Sequence, residues 1–325
     1  MKKVVKTIGV FVVLILVVMT LPILFTFVYR GIDSLGQKSV RLTESGTPVP
    51  RAYASSDTDE VEEEPVKVVK TYKDLEFDST YYPYYGMLNK RYRDLYKQIY
   101  FEVTNLDSVI KPNIEISRYD LPQVVEAVIY DHPELFYLSN RYSFKYNGRD
   151  IVYEITVKFN SLVNDYDANK ERFETELNGI IQMANQYSTD YEKEKAVHDY
   201  LYEVLTYDSN ASYSQSAYSA LVNHNSVCAG YSKAFQLVMT RLGIPTYYVI
   251  GDSFGDHAWN LIRINDTYYN VDVTWDNTTY SKYAYFNISD SEIGTDHSRR
   301  GMAIYLPEAD TSMFSTSSIL YRTAF

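Results

Sequence analysis

Cysteine is almost absent from this chain: Cys228 is the only one in 325 residues. No disulfide can form within one molecule, so an extracellular location has to be argued from other features. Histidine is scarce as well, with five in all. None is spaced with the cysteine or with another histidine as metal ligands are, so neither a metal nor a cofactor is expected. Basic residues are outnumbered, 31 Lys and Arg against 42 Asp and Glu, for a net charge of −11. Residues 1–56 carry +5, residues 57–64 (DTDEVEEE) carry −6 and the remainder carries −10. An acidic body speaks against nucleic acid and against docking on anionic lipid. Internal repeats are also missing.

One long hydrophobic run is present. Residues 8–28, IGVFVVLILVVMTLPILFTFV, hold no charge and are long enough to cross a bilayer as a helix, with Pro22 its one helix breaker. Lys2, Lys3 and Lys6 precede the run and only Arg30 follows closely, which puts the N-terminus in the cytoplasm and the rest outside. A cleaved signal peptide would have a shorter apolar region, and the one small-x-small site, Ala52-Tyr53-Ala54, lies too far downstream. No cysteine follows the run, which excludes a lipoprotein anchor. The expectation is an uncleaved signal anchor over residues 1–30 in a single-pass cell-membrane protein whose working part is extracellular. Residues 31–66, rich in Ser, Thr, Pro and acids, read as a disordered stalk. Tyrosine is used heavily, 34 residues, which suits a wet surface that binds polymers.

Beyond the stalk the periodicity predicts an α+β region over residues 67–185. Residues 84–106 carry Leu88, Tyr92, Leu95, Tyr96 and Ile99 at helical spacing, and a second helix is expected over 121–130 with Pro122 in its first turn. Residues 134–159 read as strands joined by an Asn147-Gly148 turn. Two more helices are expected over 167–187 and 191–205.

Chemistry enters with NSVCAGYSKAF, residues 225–235. Ser226 or Asn225 is a suitable helix cap, 227–242 is helical in period, and Gly243 with Pro245 is a stop signal. Cys228 therefore sits in a first turn, where unpaired backbone N–H groups and the helix dipole favour a negatively charged group. Tyr231, Phe235, Val238 and Leu242 share its stripe, and Ala229 and Gly230 keep the surroundings of the sulfur small.

A nucleophile needs a base. Residues 257–264 and 267–275 read as two strands joined at Asn265-Asp266, a register that sets Ile264 opposite Thr267, Trp259 opposite Asp272 and His257 opposite Thr274. His257 and Asp272 then project from one face as diagonal neighbours, roughly 7–8 Å apart at the backbone. Cys228 as nucleophile, His257 as base and Asp272 as orienting carboxylate make an acyl-transfer set. Trp259 and Tyr231 are candidate substrate contacts, with core packing the simpler role for Tyr231 and Trp275. His224, His132 and His297 read as loop or turn residues, and His198 lies on a helix with no evident partner.

VCAGYSKAFQLVMTRLGIPTYYVIGD, HAWN and YYNVDVTWD, in that order, resemble the core of the transglutaminase-like superfamily over about residues 190–290. The resemblance implies a papain-like fold with a Cys on a helix against His and Asp on an antiparallel sheet, and it puts Cys228, His257 and Asp272 on the family's catalytic positions. It implies a catalytic domain over 186–325 acting on peptide or side-chain amides of a protein, peptide or cell-wall substrate, as a peptidase, amidase or transamidase. The alternative is a non-catalytic surface module that binds peptide or wall polymer with the same fold.

Overall fold

The computed structural model describes residues 71–279 and 281–314. The apolar run at 8–28 and the stalk at 31–66 lie outside the described residues, and among those described no helix is long and apolar enough to cross a membrane.

Where the periodicity predicts one helix over 84–106 there are two, α1 (Pro83–Met87) and α2 (Lys90–Thr104). The break is local: Leu88 and Asn89 are extended, and the Asn89 side chain accepts from the Tyr92 backbone N–H to cap α2. After strand β1 (Val109–Ile110), helix α3 (Leu121–Asp131) starts with Pro122 in its first turn. Strands β2 (Leu138–Tyr146) and β3 (Val152–Phe159) pair as an antiparallel hairpin, and β1 adds to the other edge of β3. Their loop is longer than a two-residue Asn-Gly turn. The Asn147 side chain accepts from the Arg149 and Ile151 N–H groups, and the left-handed position falls on Asp150 (φ 60°). Helices α4 (Tyr166–Ala184) and α5 (Asp190–Val204) follow, the second opened by a Thr189/Glu192 capping box.

The second half begins with a two-stranded parallel pair, β4 (Thr206–Tyr207) and β5 (Asn225–Ser226), around the short α6 (Ala217–Leu221). Then come α7 (Cys228–Arg241), β6 (Thr246–Asp252), β7 (Asp256–Ile264), β8 (Thr267–Val271), α8 (Val273–Thr278), β9 (Phe286–Ile288), α9 (Asp290–Ile293) and β10 (Ser298–Arg299). Five strands form one antiparallel sheet in the order β10-β6-β7-β8-β9. The β7–β8 register sets Ile264 opposite Thr267 and Asn260 opposite Val271, as expected. It stops there: residues 273–278 are helical rather than extended, because Asp272 leaves the sheet to cap α8.

Helix α7 packs against β6 and β7 and is buried on all sides from Ala229 to Met239, not along one stripe. Its buried polar side chains are tied to the surrounding backbone and to Asn140, with Gln236 Oε1 the one buried side-chain atom of the helix left without a partner among the described residues. Ser232 donates to the carbonyls of Cys228 and Ala258, Lys233 Nζ donates to Asn140 at 3.2 Å, and Gln236 donates to the Tyr130 carbonyl at 2.9 Å. One apolar core runs from Leu75 to Ala309 and includes residues on both sides of position 185.

Candidate active site

Ser226 does not cap α7. Its hydroxyl is buried and turned to Ser219 Oγ and the Ser214 carbonyl, and the cap position falls to Val227, which has no polar side chain. The Gly230 N–H bonds back to the Val227 carbonyl at 2.9 Å, while the Cys228 and Ala229 N–H groups stand at a helix start without a side-chain cap, at the half-buried Cys228. Gly230 has a different reason from access to that sulfur: a Cβ there would lie 1.9 Å from Ser226 Oγ and 2.8 Å from the Ser214 carbonyl. The loop before the helix can close over its first turn only on glycine.

His257 stands near the start of β7, and its Nε2 is 2.6 Å from Asp272 Oδ2. Asp272 itself is fully buried, and its other oxygen accepts from the Thr274 and Trp275 N–H groups at 2.9 and 3.0 Å. The residue that follows β8 thus serves both as helix cap and as partner of the imidazole. Burial works against charge on His257, but the Asp272 carboxylate, followed by polar contact with the Cys228 side chain, raises it well above the ordinary imidazole range. Burial likewise opposes charge on Asp272, and His257, His297 and the capped N–H groups hold it below the usual carboxylate range. With Nε2 engaged by Asp272, Nδ1 is the ring nitrogen left for the sulfur.

His297, which reads as a turn residue in the sequence, is buried in this site. Its Nε2 is 3.1 Å from the same Asp272 Oδ2, and its Nδ1 bonds Asp296. No sequence spacing announces it, since the pairing of β10 with β6 brings it home. Among the described residues, His257, Asp272 and His297 form a group with metal-ligand potential, one atom from each lying within 4.8 Å of the others. A divalent ion would have to displace the ring protons that join them.

His198 also has a partner, a turn below. Its Nε2 is 2.9 Å from Asp276 Oδ2, with both side chains fully buried, and Asp276 Oδ1 accepts from the Tyr285 N–H. Asp272 caps α8 and Asp276 lies one turn along it, so the His198 pair pins the helix that Asp272 caps. His132 is likewise buried, bonded to Tyr96 and Glu134.

Trp259 and Tyr231 are 1% and 0% exposed, so they support the site rather than meet a substrate. Trp259 lies parallel to the His257 ring at 6.1 Å and donates to Asn270, while the Tyr231 hydroxyl donates to Asn277. The rim is formed by other aromatics. Phe254, 92% exposed, stacks on the half-buried Trp275 at 6.0 Å, and Tyr207 lies near Cys228.

Residues 181–273 match the family model of the transglutaminase-like superfamily. This segment is a transglutaminase-like core. It contains Cys228, His257 and Asp272, whereas His297 lies beyond it. Solved structures similar to the chain include a TGase (21% identity, 58% of this chain and 56% of that one, TM-score 0.31). Another is a protein from Cytophaga hutchinsonii provisionally named a cysteine protease (16% identity, 41% and 61%, TM-score 0.28). A third is a protein from Parabacteroides distasonis provisionally named a protease (10% identity, 40% and 30%, TM-score 0.24). The chain therefore spans less than two thirds of each of these structures. No curated protein matches it.

Proposed function

We propose that this chain is a thiol enzyme that opens a peptide or side-chain amide bond through an acyl-enzyme on Cys228. The observation that carries the reading is the run of contacts from Cys228 through His257 to a buried, fully bonded Asp272. Asp272 favours the imidazolium form of His257, which sets a cation beside the side chain of Cys228 at the helix start. The thiolate adds to the amide carbonyl carbon, and the oxyanion meets the Cys228 backbone N–H. The C–N bond then breaks as the imidazolium proton passes to the leaving amine, which leaves a thioester and a neutral His257. Water, or an amine such as a lysine side chain, gives its proton to His257 as it attacks the thioester, and the thiolate–imidazolium pair returns. Hydrolysis and transamidation share every step up to the thioester. Tyr207, Phe254 and Trp275 supply the apolar surface along which the substrate lies.

The test is incubation of the full chain with a glutamine-bearing protein and a labelled primary amine, followed by mass spectrometry of Cys228. A thioester adduct that disappears in C228A is expected. Label in the protein marks a transamidase, and cleavage without label marks a peptidase or amidase. A Cys228 that forms no adduct and alkylates no faster than a free thiol overturns the proposal. We also place the enzyme outside the cell membrane, tethered by residues 8–28. Protease added to intact cells should then release residues 71–314, and their protection would reverse the assignment.

A further inference from the structure

Asp272 Oδ1 is taken up by two backbone N–H groups, so only Oδ2 faces ring nitrogens, and it faces two of them. His297 is held there from behind. Its Nδ1 bonds Asp296 Oδ1, and Asp296 Oδ2 accepts from the Tyr285 hydroxyl at 2.7 Å. Its ring is wedged against His257, Trp259, Trp275 and Tyr285 at centroid distances of 5.2, 5.1, 4.9 and 5.5 Å, and its side chain is fully buried. A hydrocarbon ring would fill this space equally well, so packing does not account for a residue with a carboxylate at each ring nitrogen.

We infer that His297 is a positioning residue for the acyl transfer: by donating Nε2–H to the carboxylate oxygen that holds His257, it limits how firmly Asp272 keeps the His257 proton. The inference rests on the acyl-enzyme reading above. Each N–H donated to a carboxylate stabilises its charge and lowers its basicity toward the remaining donor. An imidazolium clamped by an undivided carboxylate gives up its proton reluctantly, and the leaving amine needs that proton. The other charged and titratable groups around the pair are Cys228 in front, Asp252, Asp256 and Arg300 on the rim, and Asp276, Asp296 and Tyr285 behind. None of them is substituted in the variants below, and Asp296, which loses its His297 bond equally in H297F and H297Q, keeps the Tyr285 hydroxyl.

The experiment follows alkylation of Cys228 by iodoacetamide against pH in the full chain. Its upper limb reports loss of the His257 proton. H297F, which keeps the ring and removes the donor, should move that limb up by about half to one pH unit, the worth of one hydrogen bond, a factor of about three to ten in proton affinity. H297Q, which restores an N–H donor near the Nε2 position, should bring the limb back. A folded H297F with an unmoved limb, or an H297Q shifted as far as H297F, overturns the role of His297. So does an unprotonated His297 Nε2 in spectra of the wild-type chain carrying ¹⁵N-labelled histidine, a measurement that does not depend on either variant folding. H257A separates the two levels. If it leaves alkylation unchanged, the acyl-enzyme reading fails and takes the inference with it; if it slows alkylation while H297F changes nothing, only the role of His297 falls.

Discussion

Asp272 has four polar partners, two backbone N–H groups and two imidazoles, all at a carboxylate with no exposed surface. Asp272→Asn keeps the shape but turns an amide N–H₂ or a weaker acceptor toward two N–H donors, and it cannot stabilise an imidazolium. Acyl-enzyme formation should fall by about 10²–10⁴-fold, read as the rate of adduct appearance on Cys228. The same contacts set a pH window for stability. His257, raised above its ordinary 6.5, contributes fully below that value and loses its contribution as pH rises through its folded-state value. Asp272, lowered from 3.8, contributes above that value and loses it as pH falls. The gap in melting temperature between wild type and H257A should therefore be widest between about pH 4 and 6.5 and narrow on either side. A gap that widens steadily toward alkaline pH would contradict the pairing.

At the scale of the element, two glycines hold the site for different reasons. Gly230→Ala forces a methyl against Ser226 and the 214–216 loop and should lower stability by about 1–3 kcal/mol in a denaturant titration. A Cβ on Gly251 would lie 2.1 Å from the Ser298 carbonyl and 2.6 Å from the Trp259 ring, so Gly251→Ala should loosen β10 from β6. Because β10 brings His297 in, that variant should also change the pH profile of Cys228 alkylation, which a purely remote destabilisation would leave alone. The same elements show what could be read from the sequence. Cys228 at a helix start and His257 on one arm of a hairpin rest on local signals: a stop at Gly243-Pro245 and an Asn-Asp turn. Asp272 meets His257 as a helix cap rather than as a strand residue, since VDVTWD alternates like a strand yet turns helical once its aspartate caps the next turn. His198 and His297 were illegible because their partners lie 78 and 25 residues away, joined through tertiary packing that no local period records. The split between α1 and α2 is hidden in the sequence because an Asn cap inside an apolar repeat leaves the repeat intact.

Across the whole molecule, residues 71–185 are not a separate layer. Tyr84 donates to the Tyr248 carbonyl, Ser216 to the Phe136 carbonyl and Gln236 to the Tyr130 carbonyl, all from buried or half-buried positions behind the cysteine helix. A fragment of residues 186–314 should therefore lack a cooperative melting transition, measured by circular dichroism, because it strips that face bare. Glu194 adds a global pH dependence. It is fully buried with one oxygen on Asn287, and burial raises it from 4.5 to about 8. The folded state thus keeps a proton that the unfolded chain releases, and stability should fall as pH rises from about 4.5 to 8, by up to about 1.4 kcal/mol for each pH unit. Glu194→Gln should flatten that slope.

The bond from Tyr84 to Tyr248 joins residues 164 positions apart, and β10 closes the sheet only near residue 299. On a ribosome making about 5–20 residues each second, the tyrosine-rich face of α1, α2 and α3 waits many seconds for its partner. During that wait it is an exposed apolar surface, and the thiol, once made, still awaits His257 and Asp272. The order of synthesis therefore completes the Cys228–His257–Asp272 contacts after most of the fold has been made, and sets His297 in place last.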